Sequence, residues 1–258
     1  MRPLLRSLSL GVMLALAAGV PAMAEDPALA SLPFAKKLQL AKAGDVDARL
    51  SVADAYENGA GVKADAAEAA KWYRMVALSG NLDAQFHLAK LVSKGAAGLK
   101  ADKTAAANLL LNAAKKGHAP SQNLYGLMLQ NGDGIAKDEK AAIDWYRKAS
   151  DQGLAVAQNN LGVMMLKGIG TERNLDEAFK LFNKAADGKD GWAMNNLGGM
   201  YEMGWGTAKD VEKAKTYYKQ AADLGIDVAK KNLERLGGGP APADAGAGQP
   251  APAAAPAQ

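Results

Sequence analysis

The strongest constraint on this chain is a recurrence. Residues 159–189 read NNLGVMMLKGIGTERNLDEAFKLFNKAADGK, and residues 195–225 read NNLGGMYEMGWGTAKDVEKAKTYYKQAADLG. They align without a gap at a spacing of 36, with Gly162 on Gly198, Gly168 on Gly204, Gly170 on Gly206 and Ala185-Ala186 on Ala221-Ala222. Self-similarity at this period belongs to stacked supersecondary units, each of which buries its apolar face only against its neighbours. The chain is therefore best read in columns, one position compared across repeats.

Five such repeats are legible, at roughly 45–80, 81–117, 118–153, 154–189 and 190–225. Each predicts two helices. Helix A opens near Ala48, Ala84, Ser121, Ala157 or Ala193 and ends at Gly59, Gly95, Gly132, Gly168 or Gly204, since glycine closes a helix in the left-handed conformation without a Cβ clash. Helix B follows Asp65, Asp102, Asp138, Asn174 or Asp210, whose side chains accept from otherwise unpaired N–H groups of the first turn. The second repeat carries one extra residue, within Gly95-Ala96-Ala97-Gly98, and the fourth has Lys189 where the others end in glycine.

Two bulky columns on helix B are expected in the core: Trp72, Leu109, Trp145, Leu181, Tyr217 and Tyr73, Leu110, Tyr146, Phe182, Tyr218. A small column, Ala77, Ala114, Ser150, Ala186 and Ala222, lets neighbouring helices approach. On this reading Trp145→Ala should cost about 3–5 kcal/mol.

The flanks differ from the repeats. Residues 1–24 read as a secretory leader, with Arg2 and Arg6 ahead of an apolar Leu8 to Val20 and Ala22-Met23-Ala24 as a small-x-small cleavage site. The mature chain would start at Glu25, and the apolar run is short of the ~20 residues of a spanning helix. Residues 25–44 are expected to cap the first repeat, and residues 226–236 restart the helix A pattern as a C-terminal cap. Residues 237–258, rich in Ala, Pro and Gly, offer nothing large and apolar and predict a disordered tail.

Composition excludes several chemistries. The chain has no cysteine, hence no disulfide, thiol catalysis or cysteine-zinc site. Removing Arg2 and Arg6 from the 31 basic residues leaves 29 against 27 acidic ones, without a basic block for nucleic acid or an anionic membrane. Neither a Ser-His-Asp order nor a phosphate loop or nucleotide fingerprint is visible, so no catalytic residues and no cofactor are expected. The two histidines, His87 and His118, have no carboxylate at a metal-ligand spacing, and no metal is expected.

The motif A-x-x-N-L-G-x-x-Y-x-x-G-x-G followed by D-x-x-K-A-x-x-[WY]-Y-x-x-A-A-x-x-G resembles the Sel-one-like repeat family, a tetratricopeptide-like group. In the fifth repeat the match is carried by Gly198, Tyr201, Gly204, Gly206, Asp210, Ala214, Tyr218, Ala221, Ala222 and Gly225. The resemblance covers roughly residues 34–236 and implies an all-α fold, a right-handed superhelical α/α solenoid. It also implies an exported scaffold that holds a protein or peptide in a concave groove, with relatives in envelope assembly and signalling. A cysteine-rich branch has been linked to β-lactams; a cell-wall or β-lactam-directed hydrolase is the alternative function, without that branch's cysteines.

The expected binding surface lies on helix A, where Asn123, Asn159, Asn195 and Asn160, Asn196, Asn232 form two columns extended by Gln85, Gln122 and Gln158. An Asn or Gln amide both donates and accepts, which suits the backbone of an extended peptide. The competing reading is that these amides tie one repeat to the next.

Overall fold

The computed structural model describes residues 27–237; the predicted leader and nearly all of the predicted tail lie outside them. Helices fill the described chain, which divides into two compact units at Asp138 and Glu139. The N-terminal unit holds α1 (Pro27–Ala30), α2 (Phe34–Ala43), α3 (Val46–Asn58), α4 (Ala66–Ala77), α5 (Leu82–Lys94), α6 (Lys103–Lys115) and α7 (Ala119–Asn131). The C-terminal unit holds α8 (Glu139–Asp151), α9 (Ala155–Lys167), α10 (Leu175–Asp187), α11 (Gly191–Met203), α12 (Val211–Asp223) and α13 (Asp227–Leu236). Within each unit every helix from α2 onward packs on the next in the chain, the pairing of an all-α solenoid. None of the described helices is long and apolar enough to cross a membrane.

Local chemistry sets the helix ends. Asp65, Asp102, Asn174 and Asp210 accept first-turn N–H groups of α4, α6, α10 and α12 at 2.8–3.0 Å. Asp45, Asn81 and Asp190 do the same for the A helices α3, α5 and α11, each at 2.8 Å. Gly206 shows why the second glycine of the turn recurs. Its φ is +63°, and a Cβ there would lie 2.5 Å from the Leu175 carbonyl oxygen at the start of the preceding helix B. Lys189, in place of a terminal glycine, still takes a left-handed φ of 62°.

One bulky column of helix B is fully buried. Tyr73, Leu110, Tyr146, Phe182 and Tyr218 are all 0% exposed. In the C-terminal unit helix A makes room for two of them: a Cβ on Gly162 would stand 2.7 Å from Phe182 Cε1, and one on Gly198 would stand 2.6 Å from Tyr218 Cδ1. The neighbouring bulky column is buried less completely. Trp72 and Leu181 are 9% and 4% exposed, but Leu109, Trp145 and Tyr217 are only half-buried. The expectation for Trp145 is therefore corrected: successive helical residues point about 100° apart, and it is Tyr146 that faces inward. Trp145 lies over the surface, with the Lys148 ammonium 4.0 Å from its ring centroid.

Candidate functional site

The helix A amides expected to face a ligand are turned inward. Asn159 and Asn160 are 0% and 1% exposed, and Gln122, Asn123, Gln158 and Asn195 are 4%, 4%, 7% and 8% exposed; only Asn196 is half-buried. The glutamines secure the preceding helix B. Gln85 Nε2 donates to the Ala77 carbonyl at 3.2 Å, Gln122 Nε2 to Ala114 at 3.1 Å and Gln158 Nε2 to Ser150 at 3.3 Å. In the first repeat Arg49 Nε does the same to Ala41 at 3.1 Å. These carbonyls sit in a last helical turn, where each already accepts from the N–H of Gly80, Gly117, Gly153 or Gly44, and the side chain occupies the second lone pair. The side chain of one repeat thus closes the helix of the one before.

The asparagines join repeats directly. Asn196 Nδ2 donates to Asn159 Oδ1 at 2.9 Å, and Asn232 Nδ2 to Asn195 Oδ1 at 3.1 Å. The two columns interlock, the first accepting from the second of the following repeat. In physical terms this arrangement fixes the spacing of helix A against its successor.

A second kind of clasp was not visible in the sequence. In the N-terminal unit the Tyr73 hydroxyl donates to Asp54 and, at 2.8 Å, to Glu57 Oε2, while His87 Nδ1 lies 3.1 Å from the same Glu57 oxygen. The His87 ring stacks on Tyr73 at 5.1 Å, and Lys90 Nζ is 3.7 Å from Glu57 Oε1. Burial alone would push the Glu57 carboxyl up, but the hydrogen bonds from His87 and Tyr73 and the Lys90 charge outweigh it and hold it below the ordinary range. Burial and the neighbouring carboxylates push the Tyr73 phenol far above its usual value, so it stays a donor.

Asp54, Glu57 and His87 hold ligand-type atoms within 4.8 Å of one another, so His87 has the carboxylate neighbours that its sequence spacing did not reveal. The C-terminal unit shows what such a group does without them. There the Tyr218 hydroxyl donates to Glu202 at 3.0 Å, and Arg235 reaches both Glu202 oxygens at 2.7 Å. Glu202 and Tyr218 occupy the columns of Glu57 and Tyr73, and Arg235 that of Lys90 one repeat on. In both units a carboxylate at the end of helix A is held by its own helix B and by a cation from the next helix A. Glu57 and Glu202 thus each have a cation from the next repeat beside them, and the cluster forms an inter-repeat clasp.

Three further groups carry unusual chemistry. Asp83, His118 and Ser121 form a line, with His118 Nε2 3.1 Å from Asp83 Oδ1 and Nδ1 2.7 Å from Ser121 Oγ. Ser121 is 0% exposed, so the atoms of a hydrolytic triad are present without a nucleophile that a substrate can reach. Hydrogen bonding from His118 holds the Asp83 carboxyl below its usual range. Lys167 ends α9 half-buried, and burial pushes its ammonium down to about 8. Asp190, the cap of α11, is pushed up to about 6 by burial against the opposing N–H bonds of Ala193 and Trp192.

These features define a helical-repeat protein whose regularly placed polar side chains are largely committed to joining repeats. The chain belongs to the Sel1 repeat family, whose pattern matches residues 46–81, 82–118, 119–154, 155–190 and 193–226. Sel1 repeat proteins generally serve as protein-interaction scaffolds. Among solved structures, it is similar to c5321, a protective antigen of uropathogenic Escherichia coli displaying an SLR fold. The two are 31% identical with a TM-score of 0.68, over 79% of this chain and 44% of that one, so this chain spans less than half the E. coli protein. It is also similar to a Sel1 repeat protein from Oxalobacter formigenes, 26% identical with a TM-score of 0.69, over 79% of this chain and 87% of that one. The immunity protein Pa5087 from Pseudomonas aeruginosa, 19% identical with a TM-score of 0.52 over 81% of this chain and 78% of that one, shares the fold. No curated protein matches this chain.

Proposed function

We propose that this protein is an exported scaffold of the bacterial periplasm that binds a segment of another protein, in envelope assembly or signalling. One observation supports the scaffold reading above others. The side chains repeated from unit to unit are spent on holding repeats together: glutamines on helix ends, asparagines on each other, carboxylates on tyrosines and cations. What varies between repeats is then available for a partner, as in other solenoids. The line of Asp83, His118 and Ser121 does not favour the hydrolase alternative, because its serine is fully buried. The location rests on Arg2, Arg6, the apolar run and Ala22-Met23-Ala24.

In this reading the amides act on binding indirectly, through the spacing of the helices, and Asn196 is the member of the ladder with surface to offer. Photo-crosslinking in cells with the full-length chain, followed by fractionation and mass spectrometry, tests the proposal. The expected result is a periplasmic chain starting at Glu25 and one protein partner recovered reproducibly. A chain that remains in the cytoplasm removes the location, and the absence of any partner in every fraction removes the scaffold.

A further inference from the structure

Resting on the scaffold reading, we infer that the groove walled by α4 and α6 and floored by α5 is the docking surface, and that it takes an acidic peptide segment bearing large apolar side chains. The groove has a volume of about 1040 Å³. Three observations point to this occupant.

The first is an apolar residue where the repeat otherwise carries charge. Leu78 lines the groove and is 83% exposed, while its column holds Lys115, Asp151, Asp187 and Asp223 in the other repeats. A large aliphatic side chain left this open, beside further apolar lining, marks a contact surface.

The second is space left by smaller side chains. The groove walled by α10 and α12 and floored by α11 lies at the same place in the repeat, yet measures about 420 Å³. There Tyr201 and Tyr217 stack at 5.6 Å and 9° and fill it. Their columns hold Val92 and Leu109 in the larger groove, so an apolar side chain from outside fits where the aromatic pair is missing.

The third is charge. Arg74, Lys100 and Lys116 line the larger groove, and among the described residues none has a carboxylate within ion-pair distance. The one acidic residue in its lining, Asp102, is engaged in capping α6 through Ala105 N–H at 2.8 Å. On the floor, Gln85 Oε1 is buried with no hydrogen-bond donor, an acceptor available to a peptide N–H after a small shift. A cationic rim over an apolar floor complements carboxylates flanking leucine or phenylalanine, and would also repel a basic segment.

The test uses the chain of residues 25–258 and a short fluorescent peptide alternating glutamate and leucine, with its lysine–leucine counterpart as control. Anisotropy should show binding of the acidic peptide, weakened by added salt, and none of the basic one. Val92→Tyr with Leu109→Tyr reproduces the filled groove, in which the same positions already hold tyrosine. Arg74→Glu with Lys116→Glu reverses exposed charges and leaves the core untouched, so it keeps the test sound should the first pair misfold. Each pair should weaken binding at least about tenfold. No binding to the wild-type chain, equal binding of the two peptides, or unchanged affinity in the folded variants overturns the inference. In the crosslinking experiment, equal capture of one partner by wild type and both variants would overturn the groove and leave the scaffold standing. No capture by any form would overturn the scaffold itself.

Discussion

The groove of α4, α5 and α6 and that of α10, α11 and α12 are built on one repeat plan and differ in what fills them. In the C-terminal unit Tyr217 and Tyr201 stack on the flank, Phe179 meets Tyr201 edge-on at 5.4 Å, and Tyr218 occupies the core against Gly198. In the N-terminal unit the residues corresponding to Tyr217, Tyr201, Phe179, Tyr218 and Gly198 are Leu109, Val92, Ala70, Leu110 and Ala89. Leu110 is as fully buried as Tyr218, so the core closes in both cases. Where the C-terminal unit sets Gly198 against Tyr218, the same columns hold Ala89 and Leu110, both fully buried, close to a volume-conserving swap. On the flank no such compensation occurs, and the larger groove remains. Core positions are complementary in pairs, whereas flank positions are free to open or close a surface.

The largest expected effect breaks the core pairing. Tyr218→Ala should cost about 3–5 kcal/mol and Leu110→Ala about 2–4 kcal/mol in urea unfolding. The tyrosine costs more because its removal also takes a donor from Glu202. Gly198→Ala should come next. Its Cβ would stand 2.6 Å from the Tyr218 ring, an overpacking of about 1–3 kcal/mol. The reverse change in the N-terminal unit, Ala89→Gly, meets no clash and should cost about 1 kcal/mol through helix propensity and lost packing.

A smaller effect separates the units by pH. Asp190 has its folded pKa raised from 3.8 to about 6, so between those values the folded chain keeps a proton that the unfolded chain releases. The Asp190 contribution is therefore complete below the lower value and is lost as pH rises through the upper one. Asp190→Asn retains a capping oxygen and removes the buried charge. It should stabilise by about 1–2 kcal/mol near pH 8 and by little near pH 4, which melts at the two pH values would check. The smallest effect concerns Lys189. Its left-handed φ of 62° is strained for a side-chain-bearing residue, and Lys189→Gly should stabilise by about 1 kcal/mol or less, seen as a modest rise in Tm.

What could be read from the residues alone follows from how local each signal is. Helix ends were legible because Asp65, Asp210, Gly168 and Gly204 act within one turn of their own position. The bulky columns were legible as a pair, but not which of Trp145 and Tyr146 lies inside. Within the C-terminal unit the inward choice of Phe182 and Tyr218 is matched by Gly162 and Gly198 on helix A, which a single helix B pattern does not contain. The amides were visible as ladders and their direction was not. Gln158 turns inward onto the helix-end carbonyl of Ser150, which keeps a second lone pair beside its bond from Gly153 N–H, and that carbonyl comes from the preceding repeat. Likewise the neighbours of His87 at Asp54 and Glu57 are supplied by another repeat's helix.

The account rests on the claim that repeated side chains hold the molecule together and that binding uses the groove where the repeat is underfilled. Hydrogen–deuterium exchange of the chain with and without the glutamate–leucine peptide tests it most directly, because both grooves are observed in one experiment. The account predicts added protection in the last turn of α4 and across residues 99–116, with α10, α11 and α12 unchanged. Protection centred on α10–α12, or on the helix A ladder of Asn159 and Asn196, would contradict it.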